Sequence, residues 1–175
     1  MCPDKPPHRH RLLLVEDDRL FSATFSLGLE AAGHAVTAVA SAEDALEVLA
    51  HNDFDLAILD DGLPGCSGLD LAPILRERFQ LPFFFLTGCD HDGCVERAIG
   101  EGALAYLVKP VNVAQLIPMI ATVLARSADL TDLRKTRDQL QTALDQERDI
   151  SIATGIIIAR MGLDRPEAFE LLRRA

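Results

Sequence analysis

The chain has 175 residues and a formal net charge of −10, with 49% apolar and 25% charged residues. This composition is that of a soluble globular protein with one sizeable domain and a smaller appendage. The acidic excess belongs to residues 1–125, which carry 8 Lys and Arg against 18 Asp and Glu, whereas residues 126–175 carry 9 of each. The first part is therefore not expected to bind nucleic acid, while the tail can still present a local basic face.

Residues 1–10 are expected to be a disordered N-terminus, because they contain three prolines and no apolar core. They do not resemble a secretory signal, and no apolar run in the chain reaches the roughly 20 residues of a membrane helix. We therefore expect a cytoplasmic protein whose four cysteines are reduced thiols. The spacing of Cys89 and Cys94 fits no common zinc pattern.

Short apolar runs alternate with amphipathic stretches along residues 11–125. Runs of this kind predict strands buried on both faces, here Arg11–Val15, Ala35–Val39, Leu56–Leu59, Phe83–Leu86 and Ala105–Val108. The stretches between them predict helices at about 20–32, 41–52, 68–78 and 92–99, with another beginning after Asn112. Five strands alternating with helices predict an α/β fold, a doubly wound five-stranded parallel sheet with helices on both faces.

Capping residues support several of these boundaries. Ser41 with Asp44, and Asn112 with Gln115, have the three-residue spacing of helix N-caps, and Ser67 is a candidate cap for the third helix. Gly33 is placed to end the first helix in a left-handed conformation.

Functional side chains follow four of the strands. Glu16 and Asp17 follow the first, Asp60 the third, Thr87 the fourth and Lys109 the fifth. In a parallel sheet these strand ends lie at one edge, where ligands bind in open α/β folds. We therefore expect these side chains to form one site.

Three carboxylates at one edge repel one another unless a cation lies among them. Oxygen ligands favour a hard ion, most simply Mg²⁺. A carboxylate beside Mg²⁺ is able to accept a phosphoryl group, and the Lys109 ammonium would offset charge on the phosphoryl oxygens. No second catalytic constellation occurs outside this set, so an enzyme activity is not expected.

Residues 1–125 resemble the CheY-like receiver domain of two-component response regulators. The matching pieces are Val15-Glu16-Asp17-Asp18, Asp60 with Pro64 and Gly68, Thr87-Gly88, and Tyr106-Leu107-Val108-Lys109-Pro110. The resemblance implies a sensor histidine kinase as partner and a flavodoxin-like strand order.

The same resemblance implies a role for each matched residue. Asp60 would be the phosphoacceptor, and Glu16, Asp17, Asp60 and the backbone carbonyl of Gly62 would hold Mg²⁺. Thr87 and Tyr106 would be the switch pair, and Lys109 would contact the phosphoryl group. Asp61 departs from the family pattern, which has an apolar residue there. The spacing to Pro64 and Gly68 selects Asp60 over Asp61 as the acceptor.

Beyond Asn112 the helical pattern continues through residues 126–146. Apolar residues fit the first and fourth heptad positions at Leu116, Met119, Val123, Leu130, Leu133, Leu140 and Leu144. No Gly or Pro falls between Arg126 and Ile152, so we expect a coiled-coil linker that pairs two chains. Pro118 should kink the helix, and Arg137 interrupts the apolar seam.

Residues 147–175 read as a helix, a turn at Gly162 and a second helix capped by Asp164 and Glu167. This stretch is similar to the ANTAR domain, the RNA-binding output module of antiterminator response regulators. The match rests on Ala143-Leu144, Ile150, Ala153, Gly155, Arg160, Gly162, Glu167-Ala168-Phe169 and Leu172-Arg173-Arg174. Within it, Arg160, Arg173 and Arg174 are the candidate RNA contacts.

The ANTAR resemblance departs from the family at two points. Thr154 stands where the family has Lys, and the family's third helix would lie beyond Ala175, so Ile156, Phe169, Leu171 and Leu172 are expected to be poorly covered. Two functions stay open at this stage. One is a phosphorylation-controlled RNA-binding antiterminator, and the other is a receiver and coiled-coil dimer that signals through a protein partner without RNA.

Overall fold

The computed structural model describes residues 9–88 and 92–174, without the side chains of Asp92, Cys94 and Arg174. The described chain divides into two compact units, one ending at Ala128 and one from Asp129 onwards. Most of the predicted disordered segment lies outside the described residues, as do Cys2 and Cys89. His10 is described, and its backbone carbonyl accepts a hydrogen bond from the Ala35 N–H at 2.8 Å.

The first unit contains a five-stranded parallel sheet, as predicted. Its strands are β1 (Arg11–Val15), β2 (Ala35–Val39), β3 (Leu56–Leu59), β4 (Phe83–Thr87) and β5 (Tyr106–Val108). They lie in the order β2-β1-β3-β4-β5, with every neighbouring pair parallel. The sheet is doubly wound, so its carboxyl ends meet at one edge.

The described helices alternate with the strands and then continue beyond them. They are α1 (Arg19–Ala31), α2 (Ala42–His51), α3 (Gly68–Ile74), α4 (Asp92–Gly100), α5 (Val113–Met161) and α6 (Arg165–Arg174). The third helix was predicted to run to about residue 78, but a π-helical turn, Leu75–Phe79, replaces its end. Pro73 lies just before that turn and supplies no N–H to the helix.

The predicted caps are confirmed. Ser41 Oγ accepts from the Asp44 N–H at 3.1 Å, and Ser67 forms a reciprocal capping box with Asp70. Asn112 and Gln115 exchange hydrogen bonds of 3.1 and 2.9 Å. In each case the side chain satisfies an N–H that the first helical turn leaves without a partner.

The sheet is buried on both faces. On one face, α1 and α5 pack Phe25, Leu29, Leu116, Ile120 and Val123 against the strands. On the other face, α2, α3, the π-helical turn and α4 pack Ala45, Leu49, Leu71, Leu75 and Ala98. The strands β1, β3 and β4 in the middle of the sheet are buried between these helices, which explains their continuous apolar runs. The prediction of burial on both faces was wrong for the edge strands β2 and β5, which are half-buried, with Ala38 and Val108 exposed.

This packing corrects the heptad interpretation of α5. Leu116 and Val123 were predicted to lie in a coiled-coil seam, but they are 0% and 1% exposed in the core of the first unit. An apolar stripe on a helix has the same spacing whether it faces a sheet or another helix. The seam that remains available for pairing consists of Leu130, Leu133, Leu140 and Leu144, which are all exposed.

By length and composition, α5 is also apolar enough to cross a membrane. Its residues Leu116, Ile120 and Val123 are used in packing against the sheet. Only 17% of the apolar window is buried, so the core of the first unit accounts for part of the apolar character of this helix.

The second unit is a helical hairpin formed by the last part of α5 and by α6. Its turn contains Gly162, whose φ of 66° lies in the left-handed region. Asp164 and Glu167 cap α6 reciprocally at 2.9 and 3.2 Å, as predicted. Among the residues of this unit whose burial is described, Thr154 and Ala168 are buried.

Candidate functional site

The strand ends bring the predicted carboxylates together. Asp60 donates its backbone N–H to the Val15 carbonyl at 2.9 Å, which sets β3 beside β1 at the point where both strands end. Oxygen atoms of Glu16, Asp17 and Asp60 all lie within 4.8 Å of one another. Glu16 and Asp60 are buried, whereas Asp17 is exposed, so the cluster opens to solvent on one side.

Lys109 is the cation of this cluster. Its Nζ lies 2.7 Å from Glu16 Oε2 and 3.2 Å from Asp60 Oδ1. The backbone N–H of Lys109 donates to the Thr87 carbonyl at 2.6 Å, which holds the end of β5 beside β4. One ammonium therefore serves two buried carboxylates.

The electrostatics of the cluster favour a further cation. Burial raises the pKa of Asp60, the Lys109 ammonium opposes that rise, and the Asp61 carboxylate adds to it. Burial likewise raises the pKa of Glu16 against the hydrogen bond from Lys109. Burial lowers the pKa of Lys109, but its bonds to Glu16 and Asp60 outweigh this effect and raise it overall.

The loop after Asp60 is shaped around that residue. The Gly62 backbone acts on the Asp60 carboxylate by lowering its pKa, against the rise that burial causes. Gly68, at the start of α3, is buried, and a Cβ placed there would lie 2.1 Å from the Asp60 carbonyl oxygen. Only glycine permits α3 to begin this close to the backbone of Asp60.

The predicted switch residues lie on neighbouring strands. Thr87 is fully buried at the end of β4, where its backbone carbonyl accepts the hydrogen bond from the Lys109 N–H. Tyr106 opens β5, and its half-buried ring packs against the core cluster on the α2–α3–α4 face. Phe85 on β4 pairs with Tyr106 in register, and Thr87 pairs with Val108 two residues on.

The sequence analysis did not predict two contacts near this site. Asp18 was named only as part of the receiver motif, but its side chain caps α1 by accepting from the N–H groups of Leu20 and Phe21. The ring of Phe21 lies under the Lys109 ammonium, 4.6 Å from ring centroid to Nζ. The Asx signal before an apolar helix would have identified the cap, whereas nothing in the sequence places Phe21 near Lys109.

The candidate RNA contacts lie in the second unit. Arg160 is exposed in the last turn of α5, and Arg173 is exposed on α6, 3.5 Å from Glu170. Arg174 belongs to α6, but its side chain lies outside the described residues. Ile156, Phe169 and Leu171 are exposed as expected, at 43–53%, and Leu172 is half-buried.

Comparison with known proteins identifies both units. The family model of the response regulator receiver domain matches residues 12–121, and the ANTAR domain model matches residues 138–175. The transcriptional regulatory protein PdtaR of Mycobacterium tuberculosis is 30% identical over 166 residues, covering 94% of this chain and 81% of PdtaR. The response regulator protein FleR of Pseudomonas aeruginosa is 41% identical over 115 residues, covering 63% of this chain and 24% of FleR.

Solved structures give the same result for the first unit. A CheY-like receiver domain protein from Methanospirillum hungatei has a TM-score of 0.65 at 28% identity, covering 69% of this chain and 98% of the other. A response regulator from Chloroflexus aurantiacus has a TM-score of 0.63 at 32% identity, covering 67% and 98%. The carboxylate cluster therefore lies in a domain of receiver fold.

Proposed function

The chain belongs to the response regulators, with a receiver domain followed by an ANTAR domain, and we propose that phosphorylation of Asp60 controls RNA binding by the ANTAR unit. The observation that carries this proposal is the convergence of Glu16, Asp17, Asp60 and Lys109 at one sheet edge. The chain is a phosphoacceptor signalling protein rather than an enzyme, since its two matched domains are a receiver and an ANTAR domain.

In the proposed reaction, an Asp60 carboxylate oxygen attacks the phosphorus atom of a phosphodonor. A P–O bond to Asp60 forms as the bond between phosphorus and the donor's leaving group breaks. The Lys109 ammonium is placed to bind the phosphoryl oxygens, because its Nζ already lies 3.2 Å from Asp60. A receiver domain implies a phosphodonor such as a histidine kinase, and we propose a sensor histidine kinase as the partner.

The donor set fits Mg²⁺. Its three side chains all offer carboxylate oxygens, and two of these carboxylates are buried with a raised pKa that a cation would relieve. We propose that Glu16, Asp17, Asp60 and the Gly62 carbonyl hold the ion. When bound, Mg²⁺ supplies positive charge that stabilises the phosphoryl oxygens in the transition state.

The proposed switch couples this site to the rest of the domain. We propose that the hydroxyl of Thr87, which is buried at the end of β4, donates to a phosphoryl group on Asp60. Movement of Thr87 would make room for the half-buried Tyr106 ring to turn inward. A ligand changes a conformation only through its different affinity for the two states, which here is the Thr87 hydrogen bond.

We propose that the output is antitermination by RNA binding. Arg160 and Arg173 are exposed on the ANTAR unit, where they can reach RNA phosphates, and Arg174 is assigned the same role from sequence. Phosphate contacts of this kind weaken as salt rises. The exposed leucines of α5 suit a coiled-coil homodimer, and the use of the apolar start of α5 in the receiver core favours a cytoplasmic protein over a membrane-spanning one.

A second candidate function is supported by the apolar surface of the ANTAR unit. Ile156, Phe169 and Leu171 are each more than two-fifths exposed, which suits a protein contact better than an RNA contact. In that case the dimer would signal through a protein partner without RNA. Binding of an RNA hairpin library that is lost in an Arg160→Ala, Arg173→Ala variant and falls with salt would exclude this alternative.

The acceptor is tested by intact-mass measurement after incubation with a small phosphodonor and Mg²⁺. We expect one phosphate on the parent chain, none on Asp60→Asn, and one on the matched control Asp61→Asn. Labelling that persists in Asp60→Asn and disappears in Asp61→Asn would move the acceptor to Asp61.

A further inference from the structure

An aromatic ring lies beside the phosphorylation site, outside every motif that identifies the receiver. The Lys109 Nζ is over the Phe21 ring at 4.6 Å from the centroid. This distance is within the range in which an ammonium is attracted to the negative face of an aromatic ring. Among the described residues, Lys109 thus has three attractive partners, namely Glu16, Asp60 and Phe21.

Two contacts fix the position of the Phe21 ring, one to its backbone and one to its face. Asp18 caps α1 by accepting from the Phe21 N–H at 3.0 Å, which sets the backbone of Phe21 in the first helical turn. One turn later, Phe25 stacks on Phe21 with centroids 4.0 Å apart and planes 15° apart. Phe25 is 4% exposed and belongs to the core, so it backs one face of Phe21 and leaves the other to Lys109.

The contact of Lys109 with the Phe21 ring differs from its contacts with the two carboxylates when a metal ion binds and Asp60 is phosphorylated. Glu16 and Asp60 are the residues to which a metal ion and a phosphoryl group would be added, so their bonds to Lys109 must be exchanged. Phe21 is neutral, is not a ligand in the proposed site, and keeps its attraction for the ammonium throughout. The Lys109 ammonium would therefore stay close to the carboxylate cluster after its hydrogen bond to Glu16 is broken.

We propose that Phe21 is a positioning residue that holds the Lys109 ammonium over the acceptor while it moves from Glu16 to the phosphoryl oxygens. This inference rests on the proposed function of Asp60 and Lys109. The ring acts through its electrostatic face, which predicts a dependence on its electron density as well as on its shape.

The test is the rate of labelling by a small phosphodonor with Mg²⁺ in full-length chains that carry mono-, di- and trifluorinated phenylalanine at position 21. Each fluorine weakens the negative ring face with little change in shape. We expect the rate to fall stepwise, and to fall by about 2- to 30-fold in Phe21→Leu, as the loss of a cation–π contact implies. Phe21→Tyr should keep most of the rate. The same fluorinated series at Phe25, which backs the ring without contacting Lys109, is the matched control and should leave the rate unchanged.

A second measurement does not depend on phosphorylation. The side-chain methylene protons of Lys109 should be shifted upfield by the Phe21 ring current in the parent and return to ordinary values in Phe21→Leu. A flat fluorinated series would overturn the positioning role, and an unshifted parent would overturn the contact itself. A parent that shows the shift but accepts no phosphate would refute the proposed function and this role with it, while leaving the contact established.

Discussion

Lys109 donates to Glu16 at 2.7 Å, a shorter contact than the 3.2 Å that separates its ammonium from Asp60. The lysine therefore occupies the carboxylate cluster as a built-in counter-ion, bonded more closely to a proposed metal ligand than to the proposed acceptor. A divalent ion that enters must exchange places with this contact. If the cluster binds a divalent ion as proposed, the same side chain stabilises the site without metal and competes with metal binding.

The first prediction follows from that competition. Lys109→Met should be less stable than the parent without Mg²⁺, because it leaves buried Glu16 and Asp60 without a cation. Loss of one partner of a buried ion pair costs about 3–5 kcal/mol, and the open side of this cluster places the expected cost at the lower end. Added Mg²⁺ should then raise the unfolding temperature of Lys109→Met more than that of the parent.

Thermal unfolding across a series of MgCl₂ concentrations checks this result. Lys135→Met is the matched control, because Lys135 is exposed on α5 and makes only a 3.8 Å surface contact with Asp132. An equal response to Mg²⁺ in the parent and in Lys109→Met would show that Lys109 does not compete for the site.

The second prediction concerns Gly68. An alanine there would place its Cβ 2.1 Å from the Asp60 carbonyl oxygen, so α3 and the acceptor loop must separate. We expect a loss of about 1–3 kcal/mol in the free energy of unfolding, as for other overpacked sites, together with slower labelling of Asp60. Gly100→Ala, where a Cβ meets nothing within 4 Å, should unfold at the same or higher urea concentration. Equal stability of the two variants would contradict the close approach.

The third prediction uses the composition of the chain as an optical probe. The protein has one tyrosine and no tryptophan, so its tyrosine fluorescence reports Tyr106 alone. Phosphorylation should change that emission in the parent as the half-buried ring turns inward. Thr87→Ala should still accept phosphate by intact mass, but its emission should stay constant. A full fluorescence response in Thr87→Ala would show that Tyr106 moves without Thr87.

Much of the site could be predicted from sequence because each strand end is a local signal. Asp60 follows a continuous apolar run and precedes turn residues, and Lys109 follows another such run, so a parallel sheet brings them to one edge. Phe21 could not be predicted in the same way. Its distance from Lys109 depends on how the first turn of α1 packs beside the end of β5, and no spacing within either element encodes that relationship.

The prediction that the whole heptad stripe of α5 forms a coiled-coil seam was wrong for a related reason. The periodicity identified a helix with one apolar face, but it did not specify what that face contacts at each point. Leu116 and Val123 face the sheet, while Leu133 and Leu140 continue the same spacing as exposed residues. A single pattern therefore covers two packing environments, and only the tertiary structure separates them.

The last prediction is that this exposed part of α5 pairs with a second copy of the chain. Leu130, Leu133, Leu140 and Leu144 are 37–66% exposed, and they occupy first and fourth heptad positions. Burial of a leucine contributes at most about 1.5–3 kcal/mol, and association costs about 4–15 kcal/mol. Eight such leucines in a dimer contribute at most about 12–24 kcal/mol, and less than that because each is already partly buried in the single chain, so we expect a reversible dimer at micromolar protein concentrations. Arg137 lies at a seam position between Leu133 and Leu140, where it weakens the pairing and favours one register.

Sedimentation equilibrium of full-length chains measures this assembly. A Leu133→Asp, Leu140→Asp variant should be monomeric at concentrations where the parent is dimeric, because four carboxylates would then face one another in the seam. Gln139→Asp, Thr142→Asp is the matched control: it adds the same charge to the same exposed helix at positions outside the first and fourth heptad places. The control should dimerise like the parent, since its new carboxylates point away from the seam. A parent that stays monomeric at tens of micromolar, or a leucine variant that dimerises as well as the control, would remove the coiled coil from the mechanism.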